Sequence, residues 1–183
     1  MDNRTAGIIG MLCAPFLFID LMVNEMNETH WTSGLFSVIY MGGWMLSIIA
    51  LYKLRAIGKS VMVIQLILLS IAQIANLIVL GGINGRPVWF EILDLSWPAS
   101  NAFMLVIGIT VLARKKIQGW KKFIPLLVGL WLPSLIAAIA LLSTKEEAKL
   151  FLGIYSACAW TLLAILIYTT EENSSSKHQV AVA

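Results

Sequence analysis

The sequence predicts an all-α integral membrane protein, a compact bundle of six transmembrane helices with its N-terminus and C-terminus both cytoplasmic. The first observation behind this is six apolar stretches, each close to the roughly 20 residues that a helix needs to cross about 30 Å of hydrocarbon. The second is that the basic residues between them lie mostly on one side. The third is composition, because 59% hydrophobic and 13% charged residues are proportions typical of a chain surrounded by lipid.

The predicted spans leave only short connections and form a single domain over residues 1–170. Four of them contain no charged side chain and no histidine, while the first and the fourth each carry one acid, Asp20 and Asp94. The polar residues 171–183 predict a disordered cytoplasmic tail. We place the spans at Ala6–Asn24, Gly34–Tyr52, Val61–Leu80, Ile92–Ala113, Phe123–Leu142 and Leu150–Thr170.

The first three spans each have a feature that bears on their assignment. The first is long for a signal peptide, holds Asp20 and lacks a small-x-small cleavage site, so we keep it as a retained helix. The second has Gly43 four residues before Ser47, a spacing that lets helices approach closely. The third carries Gln73 and Asn76 on one helical face.

The last three spans contain prolines or small residues at helical spacing. Pro98 in the fourth and Pro133 in the fifth each remove a backbone hydrogen bond, which predicts a kink. In the sixth, Gly153 and Ala157 are four residues apart and favour close packing against a neighbouring helix.

The basic residues set the orientation through the positive-inside rule. Ten of the thirteen lysines and arginines fall in the N-terminus, the second and fourth connections and the tail, whereas Arg86, Lys145 and Lys149 lie on the other side. Short loops beside helix ends explain the positive charge better than nucleic acid binding does. The ten are Arg4, Lys53, Arg55, Lys59, Arg114, Lys115, Lys116, Lys121, Lys122 and Lys177.

Polar side chains inside the spans are concentrated in the half that this topology places outside. At 1.5 Å per residue, Asp20 lies about 20 Å from the cytoplasmic end of its span. Ionised side chains cost at least about 2.5–3.5 kcal/mol at the bilayer centre, so they turn toward the bundle interior or toward water. We predict an outward-facing polar pocket that binds a small molecule or an ion, lined by Asp20, Tyr40, Gln73, Asn76, Asp94, Asn101 and Tyr155.

These residues also have structural interpretations that the sequence leaves open. Amides such as Gln73 and Asn76 commonly hold helices together, at about 0.6 kcal/mol each. Asp94 is shallow enough to be hydrated at the interface, and Asp20 is alternatively a hydrated or paired acid.

The sequence contains no recognisable motif for a reaction, a cofactor or a metal. Cys13 and Cys158 lie inside spans and form no Cys-x-x-Cys pair. With only two histidines, a haem held between two histidines inside the membrane is excluded. A carboxylate-rich metal site at Glu25, Glu28 and His30 is conceivable, but such acidic loops are usually only solvated. We therefore predict no catalytic residue, no metal and no cofactor.

Three function classes remain. The first is a protein that binds a small molecule or ion in the outward-facing pocket, such as a transporter or a transporter subunit. Its size, six helices and internal termini are similar to those of the substrate-binding subunits of energy-coupling-factor vitamin transporters, although the Ala-x-x-x-Ala motif of their first helix is absent here. The second is a non-catalytic accessory or sensory subunit that packs against a membrane-protein partner or another copy of itself. The third is a membrane-embedded enzyme using carboxylates, which the scarcity of histidines and the lack of a nucleophile disfavour. We favour the first class, as a multi-pass protein of the cell membrane whose expected partners are the lipid bilayer and a small ligand, with no nucleic acid.

Overall fold

The computed structural model describes residues 2–24, 30–83, 85–142 and 144–180, with side chains as far as Thr170. Over these residues the chain is helical between short connections and has no strand, which confirms the all-α prediction. A 3₁₀ helix at Gly119–Phe123 leads directly into α7. The α-helices are α1 (Asn3–Cys13), α2 (Pro15–Val23), α3 (Trp31–Lys53), α4 (Lys59–Leu80), α5 (Val88–Asp94), α6 (Ser96–Arg114), α7 (Ile124–Gly129), α8 (Trp131–Leu141) and α9 (Lys145–Val180).

Five segments are long and apolar enough to cross a membrane, or six if a bent pair of helices counts as one span. The bent pair is Gly119–Gly129 with Trp131–Leu141, whose axes differ by 56°. The chain therefore has the helices of a multi-pass membrane protein. The five other segments are Asn3–Val23, Trp31–Lys53, Lys59–Leu80, Val88–Arg114 and Lys145–Thr170.

The first, fourth and fifth predicted spans are each interrupted next to a proline. Pro15 follows directly on the break between α1 and α2, while Pro98 and Pro133 each lie three residues after a break. A proline has no amide hydrogen and its ring crowds the preceding turn, so the helix is weakest there. The kink predicted at Pro133 is confirmed by the 56° bend of that segment. Near Pro15 and Pro98 a single residue with helical backbone angles separates the two helices, so each of these segments counts as one span.

The segments pack side by side in a closed order. Helices α1 and α2 lie against α3, α3 against α4, α4 against α6, α6 against α7, and α7 and α8 against α9, which returns to α1 and α2. Helix α5 packs on α4 and α6. The core between these helices holds large, fully buried side chains, among them Trp44, Ile48, Leu51, Met104 and Leu163.

Two glycines bring α6 and α7 backbone to backbone. A Cβ atom on Gly108 would lie 2.5 Å from the Cα atom of Leu126, and one on Gly129 would lie 2.6 Å from the backbone nitrogen of Leu105. No larger side chain fits without moving a helix. The two glycines therefore make α6 the close-packing partner of α7.

The helices begin and end near the predicted limits, and most begin a few residues earlier. Helix α3 begins at Trp31 and α9 at Lys145. Helix α9 continues past Thr170 to Val180, whereas the composition predicts a disordered tail over residues 171–183, and the disorder stays a prediction. We call the end of the bundle with connections 54–58 and 115–118 the basic end, and the end with connection 81–87 the opposite end.

Candidate functional site

Asp20 lies in the last turn of α2 and is 9% exposed. Its carboxylate accepts three hydrogen bonds, from Nδ2 of Asn24 at 2.7 Å, Oγ of Ser33 at 3.1 Å and Oγ of Ser37 at 3.2 Å. The two serines are one turn apart on α3, so one face of α3 presents both hydroxyls to α2. All three donors are neutral, and within the described residues no basic side chain pairs with Asp20. The carboxyl group is therefore hydrogen-bonded but has no basic partner among these residues.

Polar side chains continue from Asp20 toward the start of α3. The hydroxyl of Thr32 donates to Oδ1 of Asn24 at 2.8 Å, and the same Oγ1 lies 2.7 Å from Nδ1 of His30. His30 also caps α3, with its Nδ1 3.4 Å from the backbone nitrogen of Thr32. Hydrogen-bond contacts thus connect His30, Thr32 and Asn24 to the Asp20 carboxylate.

Gln73 and Asn76 both reach from α4 to α3. Nε2 of Gln73 donates to the carbonyl of Val38 at 3.2 Å, and Nδ2 of Asn76 lies 3.4 Å from Sδ of Met41. Both contacts hold the two helices together, which is the structural role that the sequence leaves open. Oε1 of Gln73 is buried and has no hydrogen-bond partner among the described residues, so this amide keeps one acceptor for a further donor.

Tyr40 belongs to an aromatic cluster, which we define as Tyr40, Trp44 and Trp160. The ring centroids are 5.9 Å apart for Tyr40 and Trp44, 5.5 Å for Tyr40 and Trp160, and 5.2 Å for the two tryptophans. All three side chains are buried, and within the described ranges the hydroxyl and both indole nitrogens lack a hydrogen-bond partner. The four-residue spacing of Tyr40 and Trp44 places both on one face of α3, while the contribution of Trp160 has no signal in the sequence.

Asp94 ends α5 and forms an ion pair with Arg86. Its side chain is 39% exposed, and the Arg86 guanidinium also lies over the Phe90 ring, 5.3 Å from the centroid. Asp94 and Arg86 line a shallow groove of about 340 Å³ together with Glu91 and Trp97. Asp94 is thus both neutralised and open to its surroundings.

Asn101 and Tyr155 donate to backbone carbonyls. Fully buried Asn101 donates from Nδ2 to the carbonyl of Trp97 in its own helix at 3.0 Å, and its Oδ1 has no partner. The Tyr155 hydroxyl on α9 donates to the carbonyl of Leu127 on α7. Tyr155 therefore fastens the bent segment to α9.

The structure brings the seven predicted residues together only in part. Asp20, Tyr40, Gln73 and Asn76 lie on α3 or against it, but in the described part of the chain no hydrogen bond joins any two of the seven. The site around Asp20 is completed by side chains that the sequence analysis does not select. These are Asn24, Thr32, Ser33 and Ser37.

The Asp20 site offers a carboxylate, hydroxyls and an amide. Oxygen ligands of this kind suit hard cations, and a carboxylate also takes up a proton. In the described ranges no group of three or more histidine, cysteine, aspartate or glutamate side chains is placed to hold a metal ion. Glu25 and Glu28, considered above with His30, lie outside the described residues.

Comparison with models of known protein families, with curated proteins and with solved structures finds no match to this chain. Its function therefore has to be inferred from its own residues.

Proposed function

We propose that this chain is a multi-pass protein of the cell membrane that binds a proton or a small cation around Asp20, at a site open to the outside, as a transporter or a transporter subunit would. The observation that carries the proposal is the state of Asp20, a buried acid with three neutral donors and no basic partner among the described residues. Acids inside a membrane are costly and are characteristic of ion and proton pathways.

The donors around Asp20 can serve either ligand. A serine hydroxyl that donates to the carboxylate can rotate and present its lone pairs to a cation, and it can accept from a protonated carboxyl. Ser33 and Ser37 thus adapt to both cases without moving α3. The side chains of Asn24, Thr32 and His30 extend the polar site from Asp20 to the start of α3, at the opposite end of the bundle.

The proposed topology places both termini in the cytoplasm and counts the bent pair as a sixth span. Lys121 donates to Oγ1 of Thr169 at 2.9 Å, and Trp131 donates to Oγ of Ser156 at 2.8 Å. Thr169 and Ser156 are thirteen residues apart on α9, which corresponds to about 20 Å along the axis. The bent segment therefore extends along most of the membrane-crossing length of α9, which supports counting it as a sixth span. With six spans, the chain ends on the side of the membrane where it begins.

The topology is tested by labelling single cysteines in intact cells. In a chain with Cys13 and Cys158 replaced by alanine, Lys116→Cys should resist an impermeant maleimide, while Glu146→Cys should react. Both positions are exposed, so access to the reagent depends on the side of the membrane. Labelling of Lys116→Cys in intact cells, with Glu146→Cys protected, would overturn the orientation.

Ligand binding is tested with purified protein in vesicles that contain a pH-sensitive dye. We expect uptake of protons, or of Na⁺, K⁺ or Li⁺ under an imposed gradient, to fall at least about tenfold in Asp20→Asn, because one charge-assisted interaction contributes about 1.5–3 kcal/mol. The matched control is Asp94→Asn, which removes the same charge at a paired, exposed position and should retain uptake. Uptake retained by both Asp20→Asn and Asp20→Leu, with the leucine variant more stable than wild type, would identify Asp20 as a tolerated defect and favour the accessory-subunit class.

A further inference from the structure

A second candidate site lies at the basic end of the bundle, away from Asp20. There the end of α3, the start of α4 and the end of α6 surround an open cavity of about 560 Å³. Eight of the described residues line it, and of these five are basic and none is acidic. The basic residues are Lys53, Arg55, Lys59, Arg114 and Lys116.

Local backbone geometry gathers these side chains. Arg55 and Lys115 both have left-handed backbone conformations, with φ of 56° and 52°, and end α3 and α6 sharply. The chain then re-enters the bundle at α4 after only a short connection. Basic residues separated in sequence therefore converge on one opening.

Four of the five basic side chains have no negative partner in the part of the chain that the structure describes. Within the described residues no carboxylate forms an ion pair with Arg55, Lys59, Arg114 or Lys116. Like charges in one concave opening raise the local positive potential and concentrate anions there.

The position of Arg114 strengthens this inference. Its guanidinium lies across Gly58, the residue directly before α4, so that a Cβ atom on Gly58 would be 2.9 Å from the terminal nitrogen of Arg114. Helix α4 has no side-chain cap and no acid in its first turn. A guanidinium thus sits at the positive end of a 22-residue helix, where the dipole favours an anion. The guanidinium and the positive helix end repel each other, and an anion bound between them would be attracted to both.

The location selects the kind of anion. The cavity opens where three membrane-spanning helices reach the interface, and Tyr52, with its amphipathic ring, lines the same opening. Basic pockets between transmembrane helices suit the headgroups of anionic lipids. We propose that this pocket binds a phosphate group, supplied by an anionic phospholipid of the adjoining leaflet.

The proposal is tested by native mass spectrometry of the full chain in detergent, with dioleoylphosphatidylglycerol and dioleoylphosphatidylcholine as probes. We expect wild type to bind the anionic dioleoylphosphatidylglycerol at least about tenfold more tightly than dioleoylphosphatidylcholine. Arg114→Gln and Lys59→Gln should each weaken that binding about fivefold, the effect of one basic residue near an anionic group. The control is Lys115→Gln, which removes the same charge beside Arg114 but does not line the cavity, and it should stay within about twofold of wild type.

Two further comparisons distinguish a defined binding site from general attraction to positive charge, and a lipid from a soluble phosphate as the ligand. Equal weakening by Lys115→Gln and Arg114→Gln, or equal binding of the two lipids, would overturn the site. Glycerol 3-phosphate and inorganic phosphate are added as soluble competitors, and we expect neither to displace the lipid below millimolar concentration. Displacement at micromolar concentration would overturn the lipid as the source. Melting temperatures of the variants should match wild type, because the substituted side chains are exposed.

Discussion

Asp20 and Asp94 are the two acids inside the predicted spans, and the structure gives them opposite surroundings. Asp20 is buried and held by three neutral donors, while Asp94 is more than a third exposed and paired with Arg86. The difference shows that an acid in an apolar segment carries no single meaning. Its partners decide whether it is paired with a base at the surface or held by neutral donors in the interior.

The largest expected effect is on stability at Asp20. Asp20→Leu leaves the half-buried hydroxyls of Ser33 and Ser37 without their acceptor, so we expect a loss of about 1–3 kcal/mol in the free energy of unfolding. Asp94→Leu removes only an exposed pair and should cost less than about 1 kcal/mol. Unfolding in mixed detergent micelles measures both variants. A gain in stability on Asp20→Leu would show that the hydrogen bonds do not offset the burial of the charge.

A smaller effect is expected from the Arg86–Asp94 pair itself. A double-mutant cycle with Arg86→Ala and Asp94→Ala should give a coupling energy of about 0.2–1 kcal/mol, because the pair is partly exposed. Raising the ionic strength should reduce the coupling by screening. A coupling that is larger and insensitive to salt would mean that Asp94 is as shielded as Asp20, and the contrast between them would disappear.

The smallest effect is expected at Asp2, an acid outside the spans. Its carboxylate accepts a hydrogen bond from the Thr5 backbone amide at 2.7 Å, and its hydrogen bonds with Thr5 hold the pKa of Asp2 below its ordinary value. Because the folded pKa is depressed, this cap stabilises α1 above about pH 4 and loses its effect as the pH falls through the lower folded value. Hydrogen exchange at the Thr5 amide should show that pH dependence in wild type. Asp2→Asn, which still caps the helix but does not titrate, should remove it.

The spans could be predicted because crossing a bilayer requires about 20 apolar residues, a requirement visible in any one sequence. The hydrogen-bond partners of Asp20 could not. Whether Ser33 and Ser37 face α2 depends on the rotation of α3 about its own axis, and hydropathy does not determine that rotation. The two serines lie near the start of the second span, and only the packing of α2 on α3 selects them.

The sequence also could not show which of the seven predicted pocket residues face one another, because that again depends on the rotation and packing of the helices. Tyr40 shares its outer-half depth with Asp20, but depth does not distinguish a side chain at a polar site from one in an aromatic core. Likewise, the basic residues of the second and fourth connections predict an orientation from their number alone. Arg114 lies across Gly58 because of how α4 and α6 pack. This contact brings basic residues of two separate connections together in one pocket, which their number alone does not predict.

The aromatic cluster of Tyr40, Trp44 and Trp160 also has an optical consequence. Its two indoles are 5.2 Å apart and nearly perpendicular, at 88°. Transition dipoles this close couple, and their near-ultraviolet circular dichroism depends on the mutual angle of the rings. Trp44 lies on α3, the helix that also holds Ser33 and Ser37 against Asp20, and Trp160 lies on α9. A shift of α3 relative to α9 would therefore change an intrinsic spectrum, giving a label-free signal for events at Asp20.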